Sequence, residues 1–279
     1  MIAEMQIRNY SPRTISSYTS CLGRLSLFYN LSPDLISLDQ FKSYLSARIR
    51  ADKISNSTIN QCIGAWRILQ CDILRREWSE FKVKRPKRHK KIPQILSSEQ
   101  VKSLLSNISN IKHHALVSLA YATGMRRNEI LNLRPQDIDS SRNMIIVKCG
   151  KGGKQRQIPV KHSLLNILRE YYKQYRPSKF LFEGYRSGMS YSSTSFSRIL
   201  QRASIKAKIN KRVTPHTLRH SFATHMLEKG LNLKQLQLLL GHNAMKTTSI
   251  YLHVADTSSI AIPDLLEKES KIILKQDGK

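Results

Sequence analysis

Residues 82–91 read Lys-Val-Lys-Arg-Pro-Lys-Arg-His-Lys-Lys, and seven basic side chains in ten positions around Pro86 can be neither buried nor comfortably helical. The segment therefore divides the chain into two units, each of which must close its own core. A solvated linker satisfies such a run. A basic strap between two basic units also suits a chain that encircles a polyanion, because each phosphate it neutralises releases counterion.

Both units share the bias. The 279 residues carry 47 Lys and Arg against 19 Asp and Glu, a formal net charge of +28. With 40% hydrophobic residues the chain is globular and not a disordered basic tail, so the charge points to nucleic acid as partner. No apolar run is long enough to span a bilayer, and Met1–Tyr10 lacks the basic-then-apolar layout of a signal peptide, so a cytoplasmic location is expected. Cys21, Cys62, Cys71 and Cys149 have no paired spacing and are expected as thiols, with neither a metal site nor a cofactor.

Before the strap the pattern is helical. Ser11-Pro12 gives a cap and a first-turn proline ahead of Ile15, Tyr18, Leu22 and Leu25. Ser37 with Gln40 forms a capping-box signature before Phe41, Tyr44 and Leu45, and Ile59, Ile63, Trp66 and Ile73 mark a third apolar face. Residues 1–86 thus predict a small helical bundle, 87–95 a linker, and 96–279 a second domain opening at the Ser97/Gln100 cap. Helices are expected there near 98–108, 113–123, 128–133, 162–174, 192–203 and from Thr214-Pro215 to Gly230. Residues 144–147 and 157–160 read as two strands joined through Gly150-Lys151-Gly152-Gly153-Lys154. The fold class is mainly α with a small β-sheet.

Several reactive side chains stand at boundaries of these elements. His216 and Arg219 fall in the first turn of the helix that starts at Pro215, where backbone N–H groups attract anions. Arg126 follows the glycine of Thr123-Gly124-Met125, Lys151 sits at the hairpin tip, and Leu240-Gly241-His242 precedes Tyr251. Two arginines, a lysine, two histidines and a tyrosine suffice for phosphoryl transfer without metal. Guanidinium forks stabilise the transition-state oxygens, lysine or histidine protonates the leaving oxygen, and tyrosine forms a covalent intermediate that conserves the phosphodiester energy.

In that order, Thr-Gly-Met-Arg-Arg-Asn-Glu, Gly-Lys-Gly-Gly-Lys-Gln-Arg, His-Thr-Leu-Arg-His, Leu-Gly-His and the closing Tyr, the chain resembles the tyrosine recombinases: phage integrases, Cre and the bacterial Xer proteins. The resemblance spans nearly the whole chain, since Arg8-Asn9-Tyr10-Ser11-Pro12-Arg13-Thr14 is similar to the start of the family's core-binding, SAM-like domain. It implies a two-domain C-shaped clamp on double-stranded DNA with paired half-sites. The enzyme would be a homotetramer, or a hetero-tetramer with a paralogue, passing a C-terminal tail between protomers. Arg126 and Arg219 would clamp the scissile phosphate and Lys151 would protonate the 5′-oxygen. His216 would assist proton transfer at Tyr251, His242 would hydrogen-bond the phosphate, and Tyr251 would form a 3′-phosphotyrosyl link.

Around these, Lys154 and Arg156 are alternative acids, Glu129 is expected to orient a basic side chain, and Arg127 is expected outside the chemistry. His220 and His225 are expected to pack or cap within their helix, and Tyr171, Tyr172, Tyr175 and Tyr185 to pack or lie on the surface. The layout leaves no room for the arm-binding domain of lambda-type integrases or the insertion of integron integrases, so a minimal Xer-like recombinase is expected. Integration or excision of a mobile element and dimer resolution would use the same site. A type IB topoisomerase and a DNA-binding protein without chemistry are the competing readings.

Overall fold

In the computed structural model the described residues are 1–86, 93–148, 155–242 and 244–252. The chain separates into two compact units, Met1–Lys91 and Ile92–Lys279. The remainder of the basic strap beyond Pro86, the tip of the 144–160 hairpin with Lys151, and the C-terminal tail lie outside the described residues.

The first unit is helical: α1 (Ile2–Ile7), α2 (Pro12–Tyr29), α3 (Leu38–Asp52), α4 (Asn56–Arg67) and the short α5 (Trp78–Phe81). The caps are those the sequence announces. Ser11 accepts the Thr14 N–H with Pro12 in the first turn, and Ser37 and Gln40 close a reciprocal capping box. Leu22, Leu25, Phe41, Tyr44, Ile63 and Trp66 meet in the core, where Phe41 and Trp66 stack with ring centroids 4.4 Å apart. Past Arg67 the helix widens into a π-helical stretch, Ile68–Ile73.

The second unit comprises α6 (Ser98–Ser106), α7 (Ile111–Thr123), α8 (Arg127–Leu131), a sheet, then α9 (His162–Tyr175), α10 (Ser193–Lys206), α11 (Pro215–Glu228), α12 (Leu233–Leu240) and α13 (Met245–Thr248). The sheet is antiparallel in the order β1 (Ile138–Asp139), β2 (Met144–Val147), β3 (Arg156–Pro159). Ile145 pairs with Ile158, and both point into the core. Helix α7 packs against α9 and α11 and is buried on nearly every side, with Ala115, Leu116, Val117, Leu119 and Ala120 all enclosed. That is why its sequence is apolar all round and not striped.

Helix α7 ends at Gly124, which adopts a left-handed φ of +58°. A Cβ there would meet the Phe222 ring of α11 at 2.3 Å, so only glycine lets α11 approach. Helix α11 is itself a core element, starting with Thr214 as cap and Pro215 in the first turn and burying Leu218, Phe222 and Ala223.

Candidate active site

A helix driven through the core carries its polar residues with it, and α11 places Arg219 at 3% exposure. A buried guanidinium must spend its N–H groups on acceptors. Arg219 donates to the Gly124 carbonyl at 2.6 Å and the Leu240 carbonyl at 2.8 Å, and to His242 Nε2 at 2.9 Å. Burial, and then the nearby charge of Arg126, lower its pKa to about 10, so it still remains a cation at neutral pH.

The end of α12 explains the Leu-Gly-His signature. Gly241 terminates the helix with φ +62°, leaving late carbonyls without helical partners at the negative end of the helix dipole. Three consecutive carbonyls each receive an arginine. Leu239 accepts from Arg156 Nε at 2.8 Å, Leu240 from Arg219 at 2.8 Å, and Gly241 from Arg126 at 2.7 Å. A Cβ on Gly241 would lie 2.9 Å from the Arg156 guanidinium.

Glu129 binds two of those arginines to one another. Arg156 grips it with both terminal nitrogens, at 2.9 and 2.7 Å, while Arg126 donates its backbone N–H at 2.8 Å and a guanidinium N–H at 3.0 Å. Burial alone would raise the Glu129 carboxyl, but the Arg156 and Arg126 contacts outweigh it and hold the group below the usual carboxylate range. The expectation that Glu129 orients a basic side chain matches this geometry. Arg156 is committed to Glu129 and Leu239, which leaves it no role as an acid.

The histidines divide by depth. His242 Nε2 faces a guanidinium N–H and so must accept; its proton is then on Nδ1 and is donated to Thr248 Oγ1 at 2.9 Å. Burial first, with Arg219, Arg126 and Arg156, lowers its pKa to about 4. His216 is exposed at the start of α11 and has no hydrogen-bond partner among the described residues. Partial desolvation and the charges of Arg219, Arg127 and Arg126 hold it below its ordinary value.

Tyr251 closes a 3₁₀ turn, Ser249–Tyr251, and is 2% exposed. Its ring lies nearly parallel to that of His242, with centroids 6.4 Å apart. Burial raises the phenol above its ordinary value, and Arg219 and Arg126 pull the other way. Its hydroxyl meets Nδ1 of His220 at 3.0 Å.

The expectation that His220 packs or caps within its helix does not include this contact. The available signal was its spacing: four residues after His216, it shares that face one turn deeper. His225 does pack, against the Tyr121 hydroxyl at 2.9 Å, and Tyr171 is buried with its hydroxyl on the Leu181 carbonyl. Tyr172, Tyr175 and Tyr185 are exposed. The structure thus gathers Arg126, Arg219, His242 and Tyr251, with His216 on the rim, whereas Lys151 and Lys154 lie outside the described residues.

The pattern of the Phage integrase family matches residues 94–258, and that of the phage integrase N-terminal SAM-like domain matches residues 1–80. The chain is 33% identical over 261 residues to a tyrosine recombinase of Thermosipho africanus, covering 90% of this chain and 92% of that protein. It is 34% identical over 256 residues to the tyrosine recombinase XerA of Pyrococcus furiosus, covering 90% and 86%. In fold it is similar to the XerH site-specific recombinase bound to a palindromic difH substrate, with a TM-score of 0.72 at 22% identity, covering 96% of this chain and 82% of that one. The chain belongs to the phage integrase family and is a tyrosine recombinase, an enzyme of DNA strand transfer.

Proposed function

We propose that the enzyme cleaves and rejoins strands of double-stranded DNA at paired half-sites through a 3′-phosphotyrosyl intermediate and a Holliday junction, working as a tetramer in the cytoplasm. Residues 1–86 serve as the core-binding domain and 96–279 as the catalytic domain. Tyr251 Oη attacks the scissile phosphorus, the bond to the 5′-oxygen breaks, and Lys151 protonates that oxygen. The phosphodiester energy stays in the tyrosyl bond, so rejoining needs no ATP.

One observation supports this reading above the others: two arginines are pre-set by backbone carbonyls beside a buried tyrosine. Arg219 spends three of its five N–H donors on these contacts, and Arg126 two of its side-chain donors, among the described residues. The remaining donors can grip the non-bridging oxygens without reorganising at the moment of reaction. His242 completes the cradle. Moving its ring proton from Nδ1 to Nε2, with the Thr248 hydroxyl turning donor to the bare Nδ1, lets it donate to a phosphate oxygen. His216, exposed on the rim, assists proton transfer from the solvent side.

A nicked suicide substrate tests the proposal. The wild-type chain should form an adduct that survives denaturing electrophoresis, and Tyr251→Phe should bind the DNA and form none. An adduct from the Phe variant would assign the nucleophile elsewhere. Broad relaxation of plasmids lacking any defined site would point instead to topoisomerase action.

A further inference from the structure

The tyrosine needs somewhere to send its proton, and the geometry points to one side chain. We propose that His220 is the catalytic base for Tyr251: its Nδ1 takes the phenolic proton as Oη bonds to phosphorus, and it returns that proton when the 5′-hydroxyl attacks the phosphotyrosine. The inference rests on the reading of Tyr251 as nucleophile.

The step balances. The O–H bond of Tyr251 breaks and its electron pair forms the O–P bond. The electron pair of the P–O5′ bond leaves with the 5′-oxygen, which is protonated independently, and His220 holds the tyrosine's proton as an imidazolium until the reverse reaction.

The contact itself is the first argument. His220 Nδ1 lies 3.0 Å from Tyr251 Oη, with ring centroids 5.6 Å apart, and in the tautomer that carries its proton on Nε2 it is placed to accept from that hydroxyl. His216 makes no such contact; its ring stands 6.2 Å from that of His220, one helical turn earlier and exposed. Consecutive residues on a helix point roughly 100° apart. Arg219 can therefore face the phosphate while His220 faces the nucleophile, and one turn of α11 serves both partners of the new bond.

The electrostatics allow it. Burial, followed by His216 and Arg219, lowers the His220 pKa to about 4, so the ring is neutral and has a lone pair to offer. The groups facing it are His216, Arg219 and Tyr251. A bound phosphodiester puts negative charge beside Arg219 and so offsets one cause of the depression, raising the basicity of His220 when the substrate is present. The phenol is simultaneously acidified by bonding to phosphorus, so proton transfer accompanies attack and does not precede it.

The test measures the rate of adduct formation by the full chain at saturating half-site DNA. His220→Ala should lower the rate by ~10²–10⁴, the range for a lost general base, with unchanged half-site affinity. His220→Asn, whose carbonyl stands near the place of Nδ1, keeps a hydrogen-bond acceptor that cannot take the proton, and it should be as slow; it also carries the test if the Ala variant fails to fold. Difluorotyrosine at position 251, being more acidic, should shrink the loss in both variants.

A 5′-bridging phosphorothiolate needs no proton on its leaving group and should rescue Lys151→Ala but not the His220 variants. Four results would overturn the inference: wild-type rates in either His220 variant, recovery by Asn alone, a loss that difluorotyrosine leaves untouched, or rescue of the His220 variants by the phosphorothiolate. An adduct from Tyr251→Phe would instead remove the nucleophile reading on which the inference stands.

Discussion

Replacing Glu129 by Gln removes a charge while nearly preserving shape. The carboxylate accepts four hydrogen bonds, two from Arg156 and two from Arg126, and its side chain is 3% exposed against 11% for Arg156 and 26% for Arg126. An amide can accept on its oxygen but presents N–H groups to the other donors, so about two charge-assisted bonds are lost at ~1.5–3 kcal/mol each. The Arg156 cation is then left buried and unpaired, a situation that independently costs about 3–5 kcal/mol. The lost bonds give about 3–6 kcal/mol and the unpaired cation about 3–5 kcal/mol, so the two routes overlap at about 3–5 kcal/mol.

For a unit of this size that loss corresponds to a fall of roughly 6–20 °C in its melting temperature. The pH dependence has a defined sign. Glu129 sits below the ordinary carboxylate range in the folded chain, so its contribution is complete above the unfolded value of about 4.3 and is lost as pH falls through the lower folded value. The gap between wild type and Glu129→Gln should therefore be constant near neutrality and narrow in acid. Adding Arg156→Met to Glu129→Gln should recover part of the stability, because the unpaired cation is gone. Calorimetry of the wild type and the two variants from acid to neutral pH decides it. A single substitution costing less than about 1 kcal/mol, or a gap that widens in acid, would refute the account of Glu129 as a buried clamp.

Gly241→Ala should destabilise by about 1–3 kcal/mol, because φ is +62° and the new Cβ would press on the Arg156 guanidinium, and it should also slow cleavage by displacing the carbonyl that anchors Arg126; thermal melts and adduct assays check both. Arg219→Lys should reduce adduct formation by ~10²–10³ at saturating DNA, since an ammonium cannot hold Gly124, Leu240 and His242 and still present a fork to phosphate. Chelators should leave adduct formation on the suicide substrate intact, because arginines supply the positive charge at the phosphate; loss in EDTA and recovery with a divalent ion would contradict this.

The legible part of the molecule was what local chemistry dictates. Ser37/Gln40, Ser97/Gln100 and Thr214-Pro215 announce helix starts that the structure contains. Strand β2 runs from Met144 to Val147 as its apolar run predicts. Helix α12 was not anticipated, although Asn232 caps it and Gly241 ends it: Leu233–Leu240 is too short and too leucine-rich to give a clear period. The candidate site was legible as a set of residue types in order, but its supports were not. Glu129 reaching Arg156, and three arginines meeting three successive carbonyls, are contacts between residues far apart in sequence. His220 shows the same limit, since its partner lies 31 positions downstream and the pairing depends on how the 3₁₀ turn returns to α11.

The central claim, that Tyr251 bonds to DNA, is tested most directly by mapping the adduct. The full chain is trapped on a nicked suicide substrate, the complex is digested with protease and nuclease, and the modified peptide is sequenced by mass spectrometry. The account predicts a nucleotide joined through its 3′-phosphate to Tyr251 and to no other residue. A nucleotide on Tyr171, Tyr172, Tyr175 or Tyr185, or one joined through its 5′-phosphate, would contradict it.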